Sequence, residues 1–137
     1  MPLIRERLDA GSSVRFYPLG TSMLPMLRQG QDAVVLSPLP EQLHRFDLPL
    51  YRRDNGQYVL HRIIALSDTC TCMGDNQFLP EPGIRREQMI GIVTAFTRNG
   101  REYQVTDLRY RLYCRLWHHT RPLRRAWRRI RRTLRAS

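Results

Sequence analysis

Three short stretches of this chain hold the residue types that one chemistry needs. They are a serine in Gly20-Thr21-Ser22-Met23-Leu24-Pro25, a histidine in Tyr58-Val59-Leu60-His61-Arg62-Ile63-Ile64, and an aspartate in Gly74-Asp75-Asn76. A hydroxyl, an imidazole of near-neutral pKa and a carboxylate that orients it are the groups required for nucleophilic acyl transfer. All 23 basic residues are arginine, so a serine–lysine pair is excluded. Arginine does not deprotonate in proteins, and histidine is therefore the base to expect for Ser22. Such chemistry uses no cofactor and no metal. Cys70 and Cys72, two residues apart with no second pair, are a weak metal signal. On a strand they share one face and pack as small apolar groups.

These groups must be positioned by short strands. Leu3 to Ala10 has an apolar side formed by Leu3, Ile4 and Leu8 and is ended by Gly11, which predicts a short helix. Residues 13–17 alternate as a strand does, and Pro18-Leu19-Gly20 turns the chain just before Ser22. Strands are expected over 32–36, 47–52, 57–66 and 69–73, with Pro49 marking an edge or a bulge in the second of these. Asn76 to Gly83 reads as a loop with two prolines. Strands over 88–97 and 101–105 flank Asn99-Gly100, a hairpin signal like Asp54-Asn55-Gly56. The chain is thus mainly β. Asp47 reads as structural, Met23 and Met26 as core, and His44, His118 and His119 as exposed.

Charge divides the chain in two. Residues 1–107 carry twelve arginines and twelve carboxylates, whereas 108–137 carry eleven arginines and no acid, and so hold the entire net charge of +11. The expected organisation is a β domain over 1–106 and a basic helical tail over 107–137. Asp107 is a fitting N-cap for a first tail helix and Pro122 suits the start of a second. In that second helix Leu123, Trp127, Ile130 and Leu134 recur at i, i+4, i+7 and i+11 among eight arginines. Such a narrow apolar stripe on a basic helix is the pattern of an anchor lying on an anionic membrane surface. Arg124, Trp127, Arg128, Ile130, Arg131 and Leu134 are its candidate contacts. There is no run of 18 apolar residues. The N-terminus lacks the apolar stretch of a signal peptide, and three cysteines make no even disulfide framework. The expected location is cytoplasmic, peripheral on the inner membrane face.

Taken in order, Gly-x-Ser-Met-x-Pro, Asp-x-x-x-Tyr-Arg, Tyr-Val-Leu-His-Arg-Ile-Ile, Gly-Asp-Asn and Glu-Gln-Met-Ile-Gly-Ile-Val resemble the signal peptidase/LexA superfamily of serine peptidases. The resemblance runs from about Val14 to about Tyr103 and follows the subgroup with a histidine base, as in endoplasmic-reticulum and some Gram-positive signal peptidases. It implies a small β-barrel or folded sheet with a short N-terminal helix, here followed by the basic tail. It also implies that Ser22 is the nucleophile, His61 the base and Asp75 the orienting carboxylate. Gly20 falls where some members place a hydroxyl at the oxyanion, leaving backbone N–H groups such as that of Ser22 for this role. The substrate is expected to add as an extended strand beside residues 13–20 and 57–61, against Phe16, Tyr17, Leu19, Tyr58 and Leu60. The chain departs from the family pattern where Phe46-Asp47 replaces the usual Gly-Asp.

The expected function is a serine endopeptidase of signal-peptidase type acting on a peptide or protein. Two alternatives stay open: a catalytically silent peptide-binding module, and a regulator that holds nucleic acid with its arginine tail.

Overall fold

The structure, a computed structural model, describes residues 2–20 and 22–136; Thr21, within the serine motif, lies outside them. Two antiparallel sheets form the body of the molecule. The larger has the order β1 (Val14–Phe16), β2 (Val34–Ser37), β8 (Met89–Arg98), β3 (Pro49–Arg52), β4 (Tyr58–Leu60), with β9 (Arg101–Gln104) also paired to β8. The smaller is β5 (Arg62–Leu66), β6 (Cys70–Met73), β7 (Glu81–Ile84). Both sheets are open, so the barrel alternative is not adopted; β1 and β4 stand at opposite edges of the larger sheet.

Met89-Ile90-Gly91-Ile92-Val93-Thr94-Ala95-Phe96 is rich in β-formers, and the strand it forms is the hub of the fold. Its first half pairs with β3, its middle with β2 and its end with β9. Asn99 and Gly100 both take positive φ, the geometry of the tight hairpin turn that their identities predict. Pro49 does not mark an edge. It opens β3, which lies between β8 and β4, and the ladder slips at Leu50/Tyr51. A proline at the first position of a strand removes no bond from the interior of the ladder.

The expected single strand over 57–66 is two. The chain leaves the larger sheet after Leu60 and enters the smaller at Arg62, and His61 is the corner residue between them. The bend is fixed by Phe46 N donating to Ile63 O at 2.7 Å and by Ile63 N donating to Asp47 O at 2.8 Å. Asp47 also caps its own turn by accepting from His44 N. The expected loop over 76–83 is shorter than predicted, because Glu81 already pairs with Cys72 in β7.

Two apolar clusters fill the interior. One gathers Met23, Met26, Leu36, Leu50 and Phe96 beneath the larger sheet. The other lies where the two sheets meet and includes Tyr51, Ile63, Cys70 and Cys72. The cysteine pair thus shares a face and packs as apolar groups, with burial pushing the Cys72 thiol up to about 12. Helix α1 (Pro2–Asp9) covers the first cluster with Leu8.

Within the basic segment 107–137 the two helices differ in burial. Asp107 caps α2 (Leu108–His119) by accepting from Arg109 N, and α2 sinks Tyr110 and Cys114 into the main core. α3 (Arg121–Ala136) leaves Leu123, Trp127, Ile130 and Leu134 all at least half exposed. No helix among the described residues is long and apolar enough to cross a membrane.

Candidate active site

Ser22 and His61 line one cleft of about 1020 Å³. Leu19, Gly20, Tyr58 and Leu60 form its walls with them. Ser22 stands in the turn after β1. Gly20 approaches it at φ +91°, a left-handed backbone that only glycine adopts freely, and the Leu24–Pro25 peptide that follows is cis. No hydrogen bond joins Ser22 to His61 among the described residues. Of the expected substrate contacts, Phe16 and Tyr17 stay outside the cleft. The Phe16 ring packs on the main core and Tyr17 is exposed to solvent.

Asp75 does not orient His61. Its two carboxylate oxygens accept from Arg62 Nε at 2.8 Å and Arg62 Nη2 at 2.9 Å, and Tyr113 donates to the same carboxylate at 2.8 Å. Arg62 also donates to Phe46 O, to Tyr110 and to Met26 Sδ, while Trp117 Nε1 donates to Asp75 O. The nearest strong cation takes the carboxylate because a buried guanidinium must be paired.

The Gly-Asp-Asn turn acts on Ser22 instead. Asn76 N donates to Ser22 O at 2.8 Å, and Asp75 N reaches Met23 Sδ at 3.4 Å. A Cβ at Gly74 would stand 2.5 Å from Ser22 O and 3.1 Å from Ser22 Cβ. Only glycine lets the two turns approach so closely. This turn holds the backbone of Ser22 in place.

The partner of His61 is Tyr51, one strand away. Tyr51 Oη lies 3.3 Å from His61 Nδ1 and donates its proton to Glu81 Oε1 at 2.7 Å. A phenol has one proton to give. With that proton on Glu81, the Tyr51 oxygen faces His61 only as an acceptor. His61 then carries its hydrogen on Nδ1 and keeps the Nε2 lone pair, the tautomer of a general base. Glu81 is held in turn by Arg53, with contacts of 2.8, 3.0 and 3.2 Å. Burial alone would raise the Glu81 carboxyl, but the bonds from Arg53 and Tyr51 outweigh it and hold the group below its ordinary value. His61 is 4% exposed, and burial, with Arg53 nearby, pushes its pKa down to about 4. The imidazole is therefore neutral throughout the physiological range. Tyr51 is pushed far upward by burial and by its bond to Glu81, and stays a phenol.

The tail contacts also divide. Trp127, Ile130 and Leu134 are exposed, and Arg131 is exposed beside them. Arg124 and Arg128 turn toward the protein. The Arg124 guanidinium stacks 3.5 Å from the Trp117 ring and bonds Trp117 O; Arg128 lies over Phe78 and lines the cleft with Arg125. Arg124 thus meets α2, and Arg128 meets the segment between β6 and β7. His118, expected to be exposed, is half-buried between Phe46 and the guanidiniums of Arg45 and Arg121.

Tyr51, Arg53, Glu81 and Arg62 escape sequence reading as site residues. For Glu81 a signal exists, a lone acid set between Pro80 and Pro82. No family model matches this chain, and no curated protein matches it.

Proposed function

We propose that this chain is a serine endopeptidase of the signal-peptidase type that cleaves an extended peptide. The observation that carries the reading is the chain of bonds from Arg53 through Glu81 and Tyr51 to His61 Nδ1, which leaves Nε2 of a neutral imidazole without a proton on a residue that lines the same cleft as Ser22.

In the reaction Ser22 Oγ attacks the scissile carbonyl, and His61 Nε2 takes the hydroxyl proton and returns it to the leaving amine. Tyr51 and Glu81 hold the tautomer and sit near the imidazolium that forms. Gly20 and the backbone N–H of Ser22 face the developing oxyanion. The free edges β1 and β4 offer backbone groups to an extended peptide. The reading extends to peripheral attachment through α3, whose exposed Trp127, Ile130 and Leu134 would enter an anionic membrane surface with Arg131 at its edge. The reading takes this surface to be the inner, cytoplasmic one.

The test is incubation of the protein with a proteome-derived peptide library, comparing wild type with Ser22→Ala by mass spectrometry. New termini made by the wild type alone support the reading. Libraries left intact, with no labelling of Ser22 by a serine-directed phosphonate, would leave a silent peptide-binding module.

A further inference from the structure

The charged groups of the cleft do not balance. Arg53, Glu81, Arg125 and Arg128 line it beside a neutral His61. Glu81 is fully engaged by Arg53 and Tyr51. Arg125 and Arg128 remain, and no carboxylate pairs with either among the described residues. The chain supplies none close in sequence, since residues 108–137 contain no acid.

This excess continues past the first cleft. A second cleft of about 520 Å³ shares Phe78 and Arg125 with it and adds Arg121, Arg129, His118 and His119, with no carboxylate in its lining. Arg121 is only 7% exposed, and its Nε has no hydrogen-bond partner. Arg121, Arg125 and Arg129 are four residues apart, so successive guanidiniums start about 6 Å from one another along the helix. On an extended peptide, side chains on one face recur every ~6.6 Å. The two repeats match.

We propose that the peptide this protein accepts is acidic, with carboxylates at alternate positions that Arg125, Arg128 and the arginines beyond them bind. This rests on the peptidase reading for the identity of the groove and adds the substrate class. Guanidinium–carboxylate pairs form two parallel bonds and gain strength where water is partly excluded. A peptide fits better than a nucleic acid, because the same cleft has apolar walls at Leu19 and Leu60 and two free strand edges nearby.

The test uses the full-length Ser22→Ala chain, which binds without turnover. Its affinity is measured by fluorescence anisotropy for an extended peptide with alternating glutamates and for the same peptide with glutamines. The glutamate peptide should bind about tenfold or more tightly at low salt, and the advantage should shrink as salt rises. Arg125→Glu with Arg128→Glu should abolish the advantage. Arg111→Glu with Arg115→Glu, an equal change of charge on the exposed face of α2, should keep it. Circular dichroism checks that both double variants are folded. Equal affinity for the two peptides overturns the proposal, as does the same loss in both double variants. A single-stranded oligonucleotide that outcompetes the glutamate peptide, and does so through Arg125 and Arg128, also overturns it. Cleavage by the wild type separates the two readings. Acidic preference in binding without any cleavage defeats the peptidase reading alone. Cleavage indifferent to acidic residues defeats this proposal alone.

Discussion

Asp75 directs both carboxylate oxygens at Arg62, at 2.8 and 2.9 Å, where the two side chains are 1% and 2% exposed. Breaking such a pair leaves an uncompensated buried charge, at a cost of about 3–5 kcal/mol. Asp75→Ala is expected to lower stability by about that much in urea denaturation. A variant that keeps full stability yet loses activity by orders of magnitude would show that Asp75 acts on the imidazole after all.

Tyr51→Phe and Glu81→Gln should behave in the opposite way. Phenylalanine keeps the ring but removes the acceptor at His61 Nδ1, so both tautomers populate. Glutamine removes the anion that draws the Tyr51 proton away. Each should lower kcat by roughly ten- to a hundredfold, less than the ~10²–10⁴ a positioned base supplies. The double variant should lose little more than the worse single one, because both act along one chain of bonds. Steady-state kinetics that show additive losses would break the chain into independent parts.

The pH dependence follows from the same burial. His61 acts when neutral, and its pKa in the folded protein is about 4. Therefore kcat/KM should stay level as pH falls through 6.5 and drop only near pH 4. Stability changes over a wider window. The unfolded histidine titrates near 6.5, so between about 6.5 and 4 the unfolded chain binds the extra proton and stability falls as pH is lowered. Above 6.5 this loss is absent. The whole depression corresponds to roughly 3 kcal/mol. Titration of the His61 ring by NMR checks both statements. A midpoint at 6.5 would mean that water reaches the ring.

Residue type and order were enough to bring Ser22 and His61 forward, because a hydroxyl and an imidazole in motif contexts are visible one at a time. The partner of each was not. Asp75 and Glu81 are both carboxylates, and which one serves His61 depends on where Arg62 and Arg53 lie in space. Arg62 points inward to α2, and Arg53 points along the cleft. Hairpin turns such as Asn99-Gly100 were legible because their chemistry is local. The break of the 57–66 strand at His61 was not, since bonds to residues 46 and 47 make it. Likewise Tyr110 and Cys114 looked like part of a solvated basic tail. Their burial is decided by a core that the tail's own composition does not encode.

Gly74→Ala tests how Ser22, the proposed nucleophile, is held. The new methyl would meet Ser22 O at 2.5 Å, a contact with backbone that no side-chain rotation relieves. Either the serine turn or the 74–76 turn must move, at a cost of roughly 1–3 kcal/mol. Displacement of a nucleophile by about 1 Å is worth ~10²-fold in rate. The expected result is a folded protein with at least that loss in kcat and slowed phosphonate labelling of Ser22. Normal labelling would show that the turn does not set the serine's position.

Truncation separates the two tail helices. Removing residues 121–137 deletes α3, whose apolar stripe is exposed, along with the Arg121 and Arg124 contacts to Gly74 O and Trp117. Both apolar clusters are built without α3, so the remainder should stay folded. Removing 107–137 also deletes Tyr110, Tyr113, Cys114 and Trp117 and strips the cover from the Arg62–Asp75 pair. Each large buried side chain is worth about 3–5 kcal/mol, and together they exceed the roughly 5–15 kcal/mol that holds a domain folded. The shorter chain should therefore unfold, as circular dichroism would report. The chain ending at 120 should stay folded but no longer float with anionic vesicles, because Trp127, Ile130, Leu134 and the arginines beside them are gone. Full-length binding should weaken with salt without vanishing, since apolar insertion is unscreened while the ~1 kcal/mol per arginine is not. Flotation that disappears at moderate salt would point to a purely electrostatic tail, and flotation retained without α3 would place the membrane contact elsewhere on the molecule.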